Sequence, residues 1–314
     1  MTDKKAWAAK HISDEVVMRS SSGGAFTALS DEILHRGGVI IGASYDYKKQ
    51  ALTHKIARNY EERNAMRGSK YIWSELGNVY QESLEEIQQG KWVLFVGTPC
   101  QCAGYRNFLT VKNIPVERVV ICDIVCHGTP IKSLWSDYVA YLNKKYKSAI
   151  ERVNFRDKRN GWSRPTTVAN IEGQEISIAD YIDLYYSKCA LQSQCYSCKF
   201  ANLDRPSDIT IGDYWGIEKS LPSFCDKKGV SLIITHTDTG EHLLSEAKKD
   251  LNLVETPIEA AMQPNLCCPT APAPEREKFL AEYKKWGIGF VLHKYSRSYL
   301  FGKVRNKIKY LINR

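Results

Sequence analysis

Four cysteines lie where apolar segments end or where two thiols are close together in the chain. Cys100 follows the apolar segment KWVLFV, and Cys126 follows the apolar segment VVICDIV. Cys195 and Cys198 form a Cys-x-x-Cys pair further along the chain. Because ligand sites collect at the carboxyl ends of strands in α/β sheets, we expect the first two thiols at such an edge. Four thiolates satisfy a tetrahedral zinc ion or an iron–sulfur cubane, while the Cys-x-x-Cys pair alone also suits a redox disulfide.

The other six of the ten cysteines are weaker candidates. Cys102, Cys122 and Cys189 are near enough in sequence to replace one of the four. Cys122, however, lies inside an apolar strand, where a free cysteine usually serves as a small hydrophobic residue. The remaining three, which have no ligand-like context, are Cys225, Cys267 and Cys268.

Two turns that contain glycine have the composition of anion-binding loops. The turn Ser20–Gly24 stands directly before a predicted helix, so its glycines permit a close approach and its N–H groups suit a phosphate. The segment Arg67–Tyr71 offers two cations and a hydroxyl for a pyrophosphate, and Tyr71 can stack on a ring. An ordinary helix cap is the alternative for the first turn. A solvated surface turn is the alternative for the second.

Three other segments carry side chains suited to a planar or charged ligand. His127 suits a metal ligand, an acid-base group or a hydrogen-bond donor to a bound ring. The segment Asp213–Gly216 ends a predicted strand with one acid and two aromatic rings, as the wall of a ring-binding pocket does. Arg156, Lys158 and Arg159 form a basic loop that suits an acidic cofactor tail. Core aromatic residues and solvated charges are the alternatives for these last two segments.

The pattern along the chain predicts a mixed α/β fold. Strands alternate with helices over residues 20–145, which is typical of a parallel or mixed sheet covered by helices. Residues 149–293 show short strands mixed with helices, which indicates an α+β half that shares one site with the first half. The sequence therefore divides into an α/β half (1–148), an α+β half (149–293) and a tail (294–314). The predicted helices are Ala25–Arg36, Glu82–Gln89, Cys102–Leu109, Leu134–Lys145 and Glu275–Trp286.

Composition narrows the class of protein. No apolar run approaches the roughly 18 residues of a membrane span, and the N-terminus lacks the apolar stretch of a secretory signal. We therefore expect a cytoplasmic protein, in which free cysteines favour metal or redox use.

The net charge is +9, and the tail 294–314 carries seven basic and no acidic residues. A basic amphipathic helix there suits an anionic membrane surface, with a solvated terminal helix as the alternative. No stacking platform for nucleic acid is present.

An ordered set of motifs resembles the coenzyme F420 hydrogenase/dehydrogenase beta-subunit family. The motifs are SSGGAFTALSDEILHRGGVIIGA, RGSKYIWS, VLFVGTPCQCAGYRNFL, DIVCHGTP, FRDKRNGW and CYSCKF followed by RPSDITIGDYWG, and they run from about Trp7 to His293. The resemblance implies an iron–sulfur flavoprotein with a [4Fe-4S] cluster and FAD or FMN, in which residues 1–148 bind the flavin. It implies four cluster ligands: Cys100, Cys126, Cys195 and Cys198. It also implies flavin contacts in three loops: Ser22, Gly23, Gly24, Arg67, Ser69, Lys70, Tyr71 and Thr98. We expect His127 and Lys70 to be the catalytic residues.

The resemblance also implies partners for the chain. Electrons would pass between a reduced deazaflavin or similar carrier, the flavin and the cluster. This sequence resembles a short form without the N-terminal ferredoxin-like segment, so an external ferredoxin or a partner redox subunit would be needed. Short members of this kind resemble proteins of bacterial polysaccharide biosynthesis. The alternatives from another class are a structural-zinc protein and a scaffold without cofactors, both in sugar-polymer assembly.

Overall fold

A computed structural model describes residues 4–299. Its strands in chain order are β1 (Lys5–His11), β2 (Val39–Asp46), β3 (Ala51–Ala57), β4 (Ser74–Glu75), β5 (Val93–Gly97), β6 (Val119–Ile124), β7 (Arg152–Asp157), β8 (Thr166–Ile171), β9 (Gln174–Ser177), β10 (Ile209–Asp213), β11 (Ser231–Thr235) and β12 (Leu251–Thr256). Its helices are α1 (Asp14–Arg19), α2 (Ala25–His35), α3 (Tyr60–Asn64), α4 (Val79–Gln88), α5 (Pro99–Val111), α6 (Lys132–Tyr146), α7 (Ala179–Tyr186), α8 (Ile217–Ser220), α9 (Asp238–Ala247) and α10 (Arg276–Tyr295).

Nine strands form one mixed sheet in the order β12-β1-β11-β10-β6-β5-β2-β3-β4. At its centre, β10, β6, β5 and β2 are parallel neighbours. The outer strands β1, β11 and β12 pair antiparallel beyond β10. The predicted mixed α/β fold is therefore confirmed. Strands from residues 1–148 and from residues 149–293 lie in the same sheet, and the division of the chain at residue 148 stays a prediction.

Alternating side chains of the central strands cover both faces of this sheet with apolar residues. On one face, Leu94 and Val120 pack with α2 and α9. On the other face, Phe95 and Ile121 pack with α4 and α5. Parallel strands that are covered by helices on both faces have nearly continuous apolar sequences. This explains why the segments before Cys100 and Cys126 are apolar throughout.

A second, three-stranded sheet in the order β7-β8-β9 stands beside the main sheet. It packs with α6, α7 and α10 around a core that is rich in aromatic rings. Within that core Trp135 makes an edge contact with Tyr181, at 4.9 Å between ring centroids. This second layer carries α7 and the segment after it, which bring Cys195 and Cys198 toward the main sheet.

Most of the predicted elements are confirmed within one to three residues at their ends. The C-terminal helix is longer than predicted, and its backbone is kinked at Gly287. The predicted basic amphipathic helix over 294–314 falls mainly on residues 300–314, which lie outside the described residues. Among the helices described for residues 4–299, none has both the length and the apolar character that crossing a bilayer requires.

Candidate functional site

Cys100 and Cys126 lie at the same edge of the main sheet, as the sequence predicts. Strand β5 ends at Gly97, which pairs in register with Asp123 near the end of β6. Thr98 then caps α5 through a capping box with Gln101, so Cys100 falls in the first turn of this helix. The Thr98 Oγ1 lies 3.2 Å from the Cys100 Sγ. Cys126 follows β6 in an extended loop that begins at Val125.

The Cys-x-x-Cys turn packs directly against the loop that carries Cys126. The Thr129 N–H donates to the Cys195 Sγ at 3.4 Å. A Cβ atom on Gly128, whose φ is +129°, would lie 3.2 Å from the Cys195 Cβ, so the glycine permits this approach. A β-bridge between Pro130 and Leu191 joins the two segments a few residues away. The contact is thus built by backbone pairing as well as by side chains.

The four predicted cysteines form one electrostatically coupled array. The pKa of Cys126 is raised to about 12, first because the thiolate is removed from water and then because of the charges of Cys100, Cys195 and Cys198. The pKa of Cys100 is raised by burial and by Cys198 and Cys195. All four thiols are free, and Cys100 is the most exposed residue of the four, although its thiol is withdrawn from water far enough for burial to raise its pKa. We call these four residues the Cys array.

In this conformation the array is not a preformed site for a single ion. Among residues 4–299, no three His, Cys, Asp or Glu side chains lie at distances that would hold one metal ion. The three alternates are more deeply placed: Cys102 and Cys122 are buried in the core beneath the sheet edge, and Cys189 is buried in the aromatic core. Their exclusion as ligands stays a prediction.

Arg205 links the strand end before Cys126 to the segment after Cys198 by hydrogen bonds. Its Nη2 donates to the Ile124 carbonyl at 3.0 Å, two residues before Cys126. Its Nη1 donates to the Phe200 carbonyl at 2.5 Å, two residues after Cys198. The guanidinium also pairs with Asp123 at 3.1 Å. The planar fork of an arginine can make these bonds at once, whereas a lysine ammonium cannot. The sequence analysis missed Arg205, although it stands beside the Cys-x-x-Cys motif.

The predicted SSGG and RGSKY loops contact each other. The Ser69 N–H donates to the Ser21 Oγ at 2.6 Å. Ser22 donates to the Val230 carbonyl at 2.6 Å. The N–H groups of Gly23 and Ala25 both point at the Ser231 Oγ. In this conformation, therefore, those two N–H groups already donate hydrogen bonds within the protein. Binding of a phosphate at this turn stays a prediction.

Gly23 has a packing reason to be glycine. A Cβ atom there would lie 2.2 Å from the Ala9 carbonyl oxygen and 2.6 Å from the Ser231 nitrogen, closer than real atoms approach. The neighbouring Gly24 has a φ of +95°, which glycine adopts readily. Both glycines thus hold the turn between β1 and β11, independently of any ligand.

Two lysines near these loops are occupied by backbone carbonyls. Lys70 donates to the carbonyls of Met66, Arg67 and Gly68, and burial lowers its pKa to about 7. An ammonium has three donors, so all of them are used. A catalytic role for Lys70 stays a prediction and requires one of these bonds to break. Arg67 is half-buried, and burial lowers its pKa, with the charge of Arg63 adding to the effect.

Lys158 of the basic loop is also buried, and its ammonium holds three backbone segments together. Its Nζ donates to the carbonyls of Val17, Ser22 and Lys228 at 2.6–2.7 Å. Burial lowers its pKa to about 7. Lys158 therefore fixes the SSGG turn, while Arg159 is exposed and pairs with Asp157 and Glu175.

A cavity of about 580 Å³ lies between the two layers. Its aromatic walls include Tyr71, Tyr186 and Trp215, and the Trp215 side chain is 52% exposed. Arg156 and Asp213 form an ion pair at its base. The cavity thus unites Tyr71 with the predicted DYWG wall and with one residue of the basic loop. Tyr186 is a lining residue that the sequence analysis did not identify, although it stands in the pair Tyr185–Tyr186 shortly before Cys189.

The middle and C-terminal parts of the chain match a known family. Residues 90–261 match the family model that describes the C terminus of the coenzyme F420 hydrogenase/dehydrogenase beta subunit. The chain belongs to this family. The resemblance inferred from the motifs is therefore confirmed, and the match includes the whole Cys array, Arg205 and every cavity residue except Tyr71.

A solved structure shows the same fold as this beta-subunit family member. It is the F420-reducing [NiFe] hydrogenase complex from Methanosarcina barkeri, in which the similar chain is 17% identical. The alignment covers 90% of this chain and 88% of that chain, with a TM-score of 0.53. No curated protein matches the sequence. At this identity the likeness concerns the fold, and the family match gives the class: an oxidoreductase subunit.

His127 connects the cavity of this family member to its Cys array. The ring of His127 lies 5.9 Å from that of Tyr186, which in turn lies 5.7 Å from that of Tyr71. Its Nδ1 lies within 3.4 Å of Asn265 and Thr270, while its Nε2 is buried without a partner among the described residues. Burial lowers the pKa of His127. A neutral imidazole with one free nitrogen suits proton exchange with a ligand.

Proposed function

We propose that this chain is an iron–sulfur flavoprotein subunit that moves electrons between a deazaflavin or similar carrier, a bound FAD or FMN and a [4Fe-4S] cluster. The observation that carries the proposal is the Cys array: four free thiols from three segments, electrostatically coupled at one edge of the sheet. When bound, a flavin exchanges electron pairs and a cluster exchanges single electrons, so the two together connect both kinds of carrier.

A zinc ion and a cluster need different spacings of their four sulfurs. Four sulfurs around one zinc ion, at Zn–S distances of about 2.3 Å, would be about 3.8 Å apart. The described residues contain no group of that kind. A cubane binds each thiolate through a different iron and needs a wider arrangement. Four thiolates are a donor set for either centre, and we propose the cluster, with Cys100, Cys126, Cys195 and Cys198 as its ligands, because the family resemblance implies it.

The cavity supplies what a planar redox ring requires. Tyr71, Tyr186 and Trp215 offer ring faces, and aromatic stacking contributes about 0.5–1.5 kcal/mol per pair beyond burial. Arg156 and Arg164 line the same cavity and suit the anionic part of such a cofactor. His127, behind Tyr186, would hold or release a proton at its Nε2. We propose that the SSGG and RGSKY loops, with Thr98, complete the flavin site.

We propose two kinds of partner. A ferredoxin or a partner redox subunit would deliver or remove single electrons, and the chain would act in the cytoplasm. The tail 294–314, with seven basic and no acidic residues, would contact an anionic membrane surface. A setting in polysaccharide biosynthesis stays a prediction.

Anaerobic reconstitution tests the proposal. The purified chain is incubated with ferrous iron, sulfide and FAD, desalted, and examined by visible absorbance and by electron paramagnetic resonance after reduction. We expect a brown-yellow protein with flavin bands, a cluster shoulder and a signal from the reduced cluster. A protein that stays colourless would contradict the proposal and favour the scaffold. A colourless protein that contains one zinc ion would favour structural zinc.

A further inference from the structure

Three exposed lysines stand in the segments that carry the Cys array. Cys100 is the exposed member of the array, while the other three thiols are half-buried. The three Cys-bearing segments, residues 98–103, 124–132 and 187–203, contain Lys132, Lys188 and Lys199, and the exposed carboxylate of Asp204 directly follows the last of them. All three lysines are exposed. Exposed positive charge thus accompanies the Cys126 loop and the Cys-x-x-Cys segment.

Contacts place each lysine beside the array. Lys199 follows Cys198 directly in the chain. The Lys188 carbonyl accepts from the Tyr196 hydroxyl at 2.5 Å, and Tyr196 stands inside the Cys-x-x-Cys turn.

Lys132 reaches the array through Trp73. Its Nζ lies 4.9 Å from the centre of the Trp73 ring. The next residue, Ser74, accepts from the Gln101 side chain at 3.5 Å, and Gln101 adjoins Cys100. The three lysines, which we call the lysine frame, therefore belong to two of the Cys-bearing segments: Lys132 to 124–132, and Lys188 and Lys199 to 187–203.

The charges of the lysine frame are not neutralised within the chain. No ion pair of the described residues includes Lys132, Lys188 or Lys199. Glu75, next to Ser74, is the carboxylate closest in sequence to these contacts. Uncompensated charge of one sign around a site steers partners of the opposite sign and raises association rates by about 10- to 1,000-fold.

We propose that the lysine frame is the docking surface for an acidic electron-carrier protein, which exchanges one electron with the chain at the Cys100 side. This inference rests on the proposed function, because it requires a cluster in the array. One electron leaves the reduced carrier and the holoprotein gains it, with no bond made or broken.

The test compares two triple variants of the reconstituted holoprotein. The frame variant is Lys132→Glu, Lys188→Glu and Lys199→Glu. The control variant, Lys48→Glu, Lys49→Glu and Lys147→Glu, has the same change in net charge, and its lysines are exposed at the β2–β3 turn and the far end of α6. Iron content and circular dichroism establish that both variants are folded and loaded. Stopped-flow absorbance follows oxidation of the reduced proteins by hexacyanoferrate(III), an anion, and by hexaamminecobalt(III), a cation.

We expect the frame variant to react about tenfold more slowly with the anion and faster with the cation at low salt, while the control changes less than about twofold. At 1 M salt, where the Debye length is about 3 Å, the difference should disappear. Equal behaviour of the two variants would overturn the inference and leave the proposed function standing. A wild-type protein without cluster absorbance would overturn both.

Carbodiimide cross-linking to a plant-type ferredoxin tests docking of a protein directly. The reagent joins a lysine to a carboxylate in contact with it, and mass spectrometry locates the joined residues. We expect cross-links at Lys132, Lys188 and Lys199. Cross-links confined to α10 or the basic tail would contradict the inference and place the acidic partner there instead.

Discussion

Arg205 and Asp123 form an ion pair that is almost completely withdrawn from solvent. The Nη2 of Arg205 lies 3.1 Å from the Oδ1 of Asp123, and their side chains are 1% and 0% exposed. Thr210 also donates to the same oxygen at 2.7 Å. A buried pair is costly to break, because the partner that remains is left charged without compensation. The pair therefore fixes the distance between the Cys126 loop and the segment that leaves the Cys-x-x-Cys turn.

The first prediction concerns this pair. Arg205→Met should lower the free energy of unfolding of the apoprotein by about 3–5 kcal/mol in guanidinium titrations. Arg205→Lys should keep more stability but lose the fork, so the reconstituted protein should release iron to a chelator faster than the wild type. Arg106→Lys is the matched control: Arg106 holds Pro206 and Asp208 of the same segment but is 41% exposed. If both lysine variants released iron at the wild-type rate, Arg205 would have no role in positioning the thiols.

The second prediction concerns the aromatic wall of the cavity. Trp215→Ala should weaken the binding of FAD by about 3- to 10-fold, since it removes a ring face from the cavity. Fluorescence titration of FAD with the apoprotein measures this change. Trp286→Ala on α10 removes a tryptophan of similar exposure, 58%, outside the cavity and should leave the affinity unchanged. Equal affinities of the wild type and both variants would place the flavin elsewhere.

The third prediction concerns pH and the buried His54. Its ring is 7% exposed, stacks on Phe95 and contacts Ser74, and burial lowers its pKa to about 4. Between this value and the ordinary pKa of about 6.5, the unfolded chain binds a proton that the folded chain does not. The stability that His54 contributes is therefore present above pH 6.5 and is lost as the pH falls toward 4.

Replacing the titrating group isolates this effect. For His54→Asn, we expect the free energy of unfolding to vary with pH by about 1.4 kcal/mol less per pH unit than for the wild type between pH 4.5 and 6. Guanidinium titrations at several pH values give the two slopes. His242→Asn, at a side chain that is 63% exposed, serves as the control and should keep the wild-type slope. Parallel slopes for the wild type and His54→Asn would show that the imidazole is not held neutral.

The sequence predicts the central sheet and the Cys loops well, because these features are local. Apolar runs followed within a few residues by a cysteine predict the strands before Cys100 and Cys126, and these strands are confirmed. The pairing of β1 between β11 and β12 could not be predicted, since it depends on contacts across more than 200 residues. The burial of Lys158 could not be predicted either, because Arg156, Lys158 and Arg159 have different environments within one basic loop.

The central claim is that Cys100, Cys126, Cys195 and Cys198 hold one iron–sulfur cluster, and counting iron, zinc and acid-labile sulfide after anaerobic reconstitution tests it most directly. The wild type and four single Cys→Ser variants are compared with Cys225→Ser and Cys268→Ser, whose thiols lie outside the array. We predict about four irons and four sulfides per chain in the wild type and both controls, and a large loss in each of the four variants. One zinc ion without sulfide in the wild type, or equal iron in all variants, would contradict the claim.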